Sequence, residues 1–202
     1  MRKILLFVWA CMGLVCLMSA CKTSVKSKEW KLVWVEDFDQ KNSFDESVWT
    51  KIPRGTSDWN NYMSYYDSCY AMQDGNLILR GIANHTQKND TAPYLTGGVY
   101  TKGKKLFTGG RVEVCARLQA AKGAWPAIWM LPEKAEWPKG GEIDIMERLN
   151  HDHIAYQTTH SYYTHILGIK DNPPHGGINK INPEEYNIYS VDIYPDSLVF
   201  AV

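Results

Sequence analysis

The chain has 202 residues, with 22 Lys and Arg against 22 Asp and Glu, and its formal net charge at pH 7 is +0. This balance argues against a nucleic-acid or anionic-membrane partner, since either would favour a strongly basic protein. The chain contains 8 Trp and 12 Tyr, aromatic residues that suit sites where one side of the ring is buried and the other meets ligand or water. Frequent strand formers separated by Gly, Asn, Asp and Pro predict one soluble all-β domain.

The first residues have the composition of an export signal. Two cationic residues open the chain, an apolar run follows, and small residues stand just before Cys21. The run is too short to span a membrane, so residues 1–20 are predicted to be a signal peptide. The small-small-Cys ending resembles the lipobox of bacterial lipoproteins. It implies lipidation of Cys21, a polar tether over residues 21–28, and a place in the bacterial cell envelope, anchored to the outer membrane or cell surface by lipid alone; ordinary secretion is the alternative.

Alternation of apolar and polar side chains predicts strands along the rest of the chain. In order, the segments are WKLVWVEDF (30–38), GNLILRGIAN (75–84), GGRVEVCARLQA (109–120), AWPAIWMLP (124–132), EIDIME (142–147), AYQTTHSYY (155–163), YSVDIYP (189–195) and SLVFAV (197–202). Hardly any helical period occurs between them. A sandwich or barrel is therefore expected.

Cysteine and histidine spacing gives no metal site. Once the signal is removed, Cys69 and Cys115 remain in the domain. A disulfide between them is allowed in an oxidising compartment, and two separately buried thiols are the alternative that we favour. His151 and His153 stand two residues apart, but no further ligand completes a zinc-type set, so we expect surface histidines.

The segment EIDIME places Glu142, Asp144 and Glu147 where a strand should bury apolar side chains. On a helix the two glutamates point to different faces, and on a regular strand Glu147 points away from the other two acids. A single β-bulge around Ile145 or Met146 would absorb one residue of register and rotate Glu147 onto their face. A bulged strand carrying three acids on one side is therefore one interpretation.

Three acids on one face repel one another and raise the pKa of at least one carboxyl. Retaining glycoside hydrolysis uses such a group: one carboxylate attacks the anomeric carbon and a second carboxyl, about 5 to 5.5 Å away, protonates the leaving oxygen. Asp144, between them, could hydrogen-bond one carboxyl and separate the two pKa values. A solvent-facing acidic strand or a calcium-binding patch would show the same spacing, and the spacing alone leaves these alternatives open.

The order of these motifs resembles glycoside hydrolase family 16 in its bulged E-x-D-x-x-E form. The resemblance is carried by WKLVWVEDF, WNNYMSYY, GGRVEVCARL, GAWPAIWMLP and GEIDIME, and it runs from about Trp30 to Val202. It implies that residues 29–202 are a catalytic domain with a β-jelly roll, in which two curved antiparallel sheets hold a substrate cleft on the concave face. Glu142 would be the nucleophile, Glu147 the general acid/base and Asp144 a supporting carboxylate.

The same resemblance implies residues that contact the sugar chain. They are three stacking indoles, a histidine near the scissile bond, and two residues towards the glycone side: Trp125, Trp129, Trp137, His160, Asn61 and Arg80. Alternation in WPAIW puts Trp125 and Trp129 on one face. One or two of the indoles, and His160, could instead belong to the core.

The activity implied by the resemblance is endo-acting, retaining hydrolysis of a polysaccharide, most commonly a β-1,3- or mixed β-1,3/1,4-glucan. The alternatives are an endo-β-galactosidase acting on agar-like or mucin O-glycan chains, and a non-catalytic glycan-binding sandwich. No cofactor is implied, although many relatives bind a structural calcium ion on the convex face; a monomer is expected.

Three features set this chain apart from the family pattern. Cys115 stands where relatives often have a basic residue, and Tyr62 where many have an acidic one, so contacts on that side of the cleft are expected to differ. SLVFAV stops inside an apparent strand, whereas the family fold continues, so we expect a domain whose last strands are missing.

Overall fold

The computed structural model of the chain describes residues 30–40, 42–119 and 121–202. The predicted signal peptide (1–20), the lipidation candidate Cys21 and the predicted tether lie outside the described residues. Leu32–Val202 form one compact unit. Among the described residues, no helix is both long and apolar enough to cross a bilayer.

Short antiparallel strands and two helical turns make up the regular structure of the described residues. In chain order the strands are β1 (Thr50–Lys51), β2 (Tyr70–Gln73), β3 (Asn76–Leu79), β4 (Gly81–Ala83), β5 (Tyr94–Thr96), β6 (Val99–Tyr100), β7 (Gly110–Ala116), β8 (Ala127–Met130), β9 (Glu142–Glu147), β10 (Ile154–His160), β11 (Gly176–Lys180), β12 (Asn187–Ile193) and β13 (Leu198–Ala201). A 3-10 turn spans Asp67–Cys69 and a π-helical turn spans Tyr162–Ile166.

Two sheets enclose the apolar core. One has the strand order β11-β10-β9-β8 and the other β13-β12-β7, while β1-β6, β2-β3 and β4-β5 form two-stranded ribbons. Ile145, Met146 and Ala155 of the first sheet pack in one buried cluster with Tyr189 and Val191 of the second. Burial of apolar side chains between two sheets is the main source of stability in a sandwich. The predicted all-β sandwich is confirmed.

The two cysteines of the domain differ in burial, and the alternation along β7 explains the exposure of Cys115. Val112 packs against the core, whereas Glu113 and Cys115 point to the other face and are exposed. Cys115 is therefore exposed, because it follows the alternation of its strand, and the expectation that both thiols are buried is wrong for this residue. Cys69 is buried, and both cysteines are free thiols, so the favoured alternative of unpaired cysteines is confirmed.

The first predicted strand is not formed. No strand is assigned between Leu32 and Phe38, and Leu32 and Val33 are 76% and 88% exposed. Trp34 packs against Trp49, with ring centroids 6.5 Å apart. Alternation favours an extended backbone, but a strand also needs a partner for its N–H and C=O groups, and none of the strands described above pairs with this segment.

Candidate active site

Two glycines lead into the acidic strand β9. Gly141 has φ +82°, and a Cβ placed there would lie 3.6 Å from the His160 carbonyl oxygen. A Cβ on Gly140 would come within 2.5 Å of both Ala135 Cβ and Pro132 Cγ. Only glycine adopts such a φ at low cost and leaves room for such a close approach. The glycine pair therefore lets the loop after β8 fold tightly against the start of β9.

Strand β9 carries the one-residue bulge that the acid spacing predicts. Along β8, Ile128 pairs with Met146, but the next residue, Trp129, pairs with Asp144. Ile145 is therefore the extra residue. The pairing of β9 with β10 shows a register shift at the same place, so the predicted bulge is confirmed.

The bulge turns all three acids to one face of the sheet. Their partners on β10 are His160 for Glu142, Thr158 for Asp144 and Tyr156 for Glu147. These partners are alternate residues of one strand and therefore share a face, so the acids opposite them share that face too. It is the face away from the core, because Ile145 and Met146 are both in the core cluster.

Asp144 lies between the two glutamates and is 3% exposed. Burial, reinforced by the charges of Glu147 and Glu142, raises the pKa of Asp144 to about 8. Asp144 is therefore protonated at neutral pH and adds no third negative charge to the row. His160 Nε2 lies 3.3 Å from Asp144 Oδ2, but the two atoms are not aligned as a hydrogen bond, since that oxygen has no hydrogen-bond partner among the described residues.

Each glutamate accepts a hydrogen bond from a tryptophan indole. Trp137 Nε1 donates to Glu142 Oε2 at 2.6 Å, and Trp125 Nε1 donates to Glu147 Oε1 at 2.7 Å. Both indoles remain about half exposed, at 48% and 46%. Each ring can thus orient a carboxylate and still offer apolar surface to a ligand.

A second pair of indoles lies next to Asp144. Trp129 is directly opposite Asp144 in the sheet, and Trp59 packs edge-on against Trp129 with ring centroids 5.1 Å apart. Trp59 was not predicted from the sequence, because it lies in a loop without periodicity. Tyr156 and Thr158 were also missed, although their alternation with His160 along AYQTTH is a signal that would have found them.

The two residues predicted for the glycone side lie in other parts of the chain. The backbone N–H of Asn61 donates to the Ser57 carbonyl, and the buried Asn61 Oδ1 has no hydrogen-bond partner among the described residues. Arg80 Nη1 donates to the Ser68 carbonyl at 3.4 Å. Neither side chain bonds to the three acids in the described parts of the chain, so their contact with substrate stays a prediction.

A cleft of about 430 Å³ opens beside the acid row. Glu142 and His160 line it, together with Met130, Pro132 and Gly141 among others. Glu147 is not among the lining residues, so this cleft extends from the Glu142 end of the row.

No metal site emerges in the part of the chain that the structure describes, where no group of three or more His, Cys, Asp or Glu is arranged to hold a metal ion. His151 and His153 are exposed, as predicted. A structural calcium ion stays a prediction.

Comparisons with known proteins identify relatives that are glycoside hydrolases. Residues 67–180 match a family model described as the XgeA-like, catalytic GH16 domain. A keratan-sulfate endo-1,4-beta-galactosidase of Sphingobacterium multivorum is 37% identical over 185 residues, which are 89% of this chain and 43% of the relative. A beta-glucanase of Rhodothermus marinus is 30% identical over 199 residues, which are 93% of this chain and 68% of the relative.

Solved structures agree with these relatives. A laminarinase from Rhodothermus marinus superposes with a TM-score of 0.74 at 29% identity, covering 86% of this chain and 71% of that one. The laminarinase catalytic domain from Thermotoga maritima MSB8 superposes with a TM-score of 0.72 at 28% identity, covering 86% and 74%. The sandwich of this chain is thus the jelly roll of those structures. The chain spans less than half of the galactosidase relative.

Proposed function

Since the chain belongs to glycoside hydrolase family 16, we propose that it is an endo-acting β-glycosidase that cleaves internal bonds of a polysaccharide with retention of anomeric configuration. The observation that carries this proposal is the row of acids on β9. Glu142 and Glu147 stand on one face of one strand, each held by an indole N–H. A buried carboxyl with a pKa of about 8 lies between them.

The proposed reaction has two steps. In the first, a carboxylate oxygen of Glu142 attacks the anomeric carbon while Glu147 gives its proton to the leaving glycosidic oxygen, so that the C–O bond breaks and a glycosyl-enzyme ester forms. In the second, Glu147 removes a proton from a water molecule, whose oxygen attacks the same carbon and releases Glu142. Two inversions at one carbon restore its original configuration.

The neighbours of the glutamates support these assignments. The indole of Trp137 donates to the Glu142 carboxylate at 2.6 Å, which holds it in one orientation for attack. Protonated Asp144 separates the glutamates without adding a charge, and its O–H can donate a hydrogen bond to a carboxylate. His160, 3.3 Å from Asp144, lies opposite Glu142 and would approach the sugar at the cleavage point.

A β-1,3- or mixed β-1,3/1,4-glucan is the first proposed substrate class. The beta-glucanase relative and the laminarinase structures support it. A galactose-containing polymer is the second, because the keratan-sulfate endo-galactosidase shares 37% identity with this chain against 30% for the beta-glucanase. Product analysis on laminarin, mixed-linkage β-glucan, keratan sulfate, agarose and mucin O-glycans would separate the two classes. Oligosaccharides from one class alone would decide between them.

The catalytic assignment is tested by Glu142→Gln and Glu147→Gln, which keep the size of each side chain and remove its acid–base and nucleophilic chemistry. Both variants should lose cleavage of the substrate found in the panel. Glu113→Gln, an exposed change on β7, is the matched control and should keep it. Cleavage that survives Glu142→Gln or Glu147→Gln would refute the proposal and favour a glycan-binding role.

The two glutamates can be told apart with azide. In Glu147→Ala, azide should react with the glycosyl-enzyme formed from an activated aryl β-glycoside and give the β-glycosyl azide. In Glu142→Ala, azide should replace the missing nucleophile and give the α-glycosyl azide. The reverse pattern would exchange the proposed roles of Glu142 and Glu147.

We also propose a lipid-anchored location in the cell envelope, on the sequence of residues 1–28. Cys21→Ala should abolish incorporation of radiolabelled palmitate and release the protein from membranes in a bacterial host. Palmitate labelling that persists in this variant would overturn the anchor, and a wild-type protein found free in the medium would favour secretion.

A further inference from the structure

We propose that His165 is a positioning residue of the active site, whose ring fixes the indole of Trp137 and, through it, the carboxylate of Glu142. The proposal rests on the proposed function, because it gives His165 a task beside the proposed nucleophile. His165 belongs to none of the motifs that carry the resemblance to the family.

The π-helical turn Tyr162–Ile166 holds His165 in place. Its first turn is closed by reciprocal hydrogen bonds, in which Ser161 Oγ accepts from the Thr164 N–H and Thr164 Oγ1 accepts from the Ser161 N–H. Thr164 is buried, and the His165 N–H donates to the Ser161 carbonyl at 2.8 Å. Its N-cap, Ser161, directly follows His160 at the end of β10, so the position of the turn is tied to the sheet that carries the acids. Single π-turns are often found at functional sites.

His165 contacts the indole that holds Glu142. Its ring centroid is 4.4 Å from that of Trp137, with the rings inclined at 61°. Such edge-to-face pairs are favourable because the positive edge of one ring meets the negative face of the other. An indole has a single N–H, so a tilt of the ring moves the hydrogen bond away from Glu142. Trp137 lies in a loop and is 48% exposed. Its contact with His165 restricts the tilt of the indole ring.

A second contact reaches the centre of the acid row. The rings of His165 and His160 are 6.3 Å apart at 80°, and His160 Nε2 is 3.3 Å from Asp144 Oδ2. His165 thus touches both the indole bonded to Glu142 and the histidine beside Asp144. No hydrogen bond or ion pair links His165 itself to a carboxylate in the residues that the structure describes, so its action on Glu142 passes through the indole of Trp137.

Kinetics of the full chain on the substrate found in the panel test the proposal. In His165→Ala the indole is released, and kcat should fall about tenfold, which corresponds to a modest rise of the activation barrier, while KM changes little. His165→Phe keeps an aromatic edge against Trp137 and should restore most of the lost kcat. His151→Ala, in an exposed turn after β9, is the matched control and should behave as wild type.

A double-mutant cycle identifies the route of the effect. If His165 acts through Trp137, the variant His165→Ala/Trp137→Phe should be no slower than Trp137→Phe alone. Additive losses would show that His165 acts independently of the indole and would overturn the proposal. A rise in KM with unchanged kcat would also overturn it, because His165 would then be a sugar ligand.

An NMR measurement does not depend on activity. In protein labelled with ¹⁵N-tryptophan, the Trp137 indole proton should exchange with solvent faster in His165→Ala than in wild type or His165→Phe; equal exchange rates in all three would overturn the proposal. Unchanged His165→Ala kinetics together with an inactive Glu142→Gln would refute the positioning role and leave the hydrolase proposal standing. An active Glu142→Gln would refute the hydrolase proposal itself, and the exchange rates would then decide on His165 alone.

Discussion

Ile145 and Met146 are neighbours in the chain, yet both side chains lie in the core between the sheets, at 1% and 0% exposure. In a regular strand, neighbouring side chains point to opposite faces. The bulge at this pair is therefore what lets an acidic strand serve two purposes. One face supplies consecutive apolar residues to the core, and the other presents Glu142, Asp144 and Glu147.

Deletion of Ile145 should cost stability but keep the three acids on one face. Without the extra residue the segment reads Glu-Ile-Asp-Met-Glu, a regular alternation in which Glu142, Asp144 and Glu147 still point away from the core. We expect a loss of about 2 to 5 kcal/mol in urea unfolding followed by circular dichroism, because a buried side chain is removed, together with retained cleavage. Ile145→Val, the matched control, keeps the residue count, and it should cost about 1 kcal/mol and retain cleavage. A deletion variant that folds but does not cleave would show that the bulge itself is needed to place the acids.

Trp125→Phe should lower kcat/KM while leaving the fold intact. The change keeps an aromatic surface for a sugar but removes the N–H that donates to Glu147 Oε1 at 2.7 Å. A hydrogen bond to a charged group contributes about 1.5 to 3 kcal/mol, so a loss of roughly 10- to 100-fold is expected. Steady-state kinetics measure it. Trp49→Phe is the matched control, since Trp49 Nε1 donates to Glu36 outside the acid row, and an equal loss in that variant would mean that the effect is not specific to Glu147.

Asp144 should make the protein less stable as the pH rises from about 4 to about 8. The folded state keeps this carboxyl protonated up to a pKa of about 8, whereas the unfolded chain loses the proton near pH 4. Between these values the folded state binds more protons, so this contribution to stability is complete below about pH 4 and is lost as the pH rises through the window, at up to about 1.4 kcal/mol per pH unit.

Asp144→Asn removes this titration. The stability of wild type relative to Asp144→Asn, from urea unfolding at several pH values between 5 and 8, should therefore fall steadily as the pH rises. Asp171→Asn, a change in an exposed loop, should give no such trend. A difference between wild type and Asp144→Asn that stays constant over this range would show that Asp144 is ionised in the folded protein.

Much of the site could be predicted from the sequence because it depends on strand periodicity. Glu142, Asp144 and Glu147 can lie on one face of a strand only if the strand is bulged. The apolar pair between Asp144 and Glu147 restricts the bulge to Ile145 or Met146. The position of His160 follows from the same alternation on the next strand. Register is a local property, and residue spacing encodes it.

The hydrogen bonds and ring contacts around the acids could not be predicted in this way. Trp137 precedes Glu142 by five residues across a glycine turn, and His165 lies in a π-turn, so no period relates either residue to the acids. Trp59 reaches Trp129 from a loop far away in the chain. The segment that begins at Leu32 shows that a clear alternation is not sufficient to predict a strand. Strand formation also requires a pairing partner, and no local pattern identifies that partner.

Arg148 should be important for stability rather than for catalysis. It follows Glu147 directly, is 4% exposed, and donates from Nε to the Asp152 carbonyl at 2.7 Å and from Nη1 to the Leu118 carbonyl. Arg148→Met fills a similar volume but leaves these two carbonyl groups without their donor, and an unsatisfied buried polar group costs about 1 to 3 kcal/mol. Urea unfolding should therefore show a loss of about 2 to 4 kcal/mol, with a smaller loss for Arg148→Lys, which keeps a donor.

The matched control for this prediction is Arg117→Met. Arg117 is exposed, and its guanidinium lies 5.4 Å from the ring centroid of Tyr186, a contact worth about 0.5 to 1 kcal/mol at an exposed site. Arg148→Met should therefore cost clearly more than Arg117→Met. Equal losses in the two variants would mean that the buried carbonyl groups find other donors, and that the guanidinium does not hold the end of β9 in place.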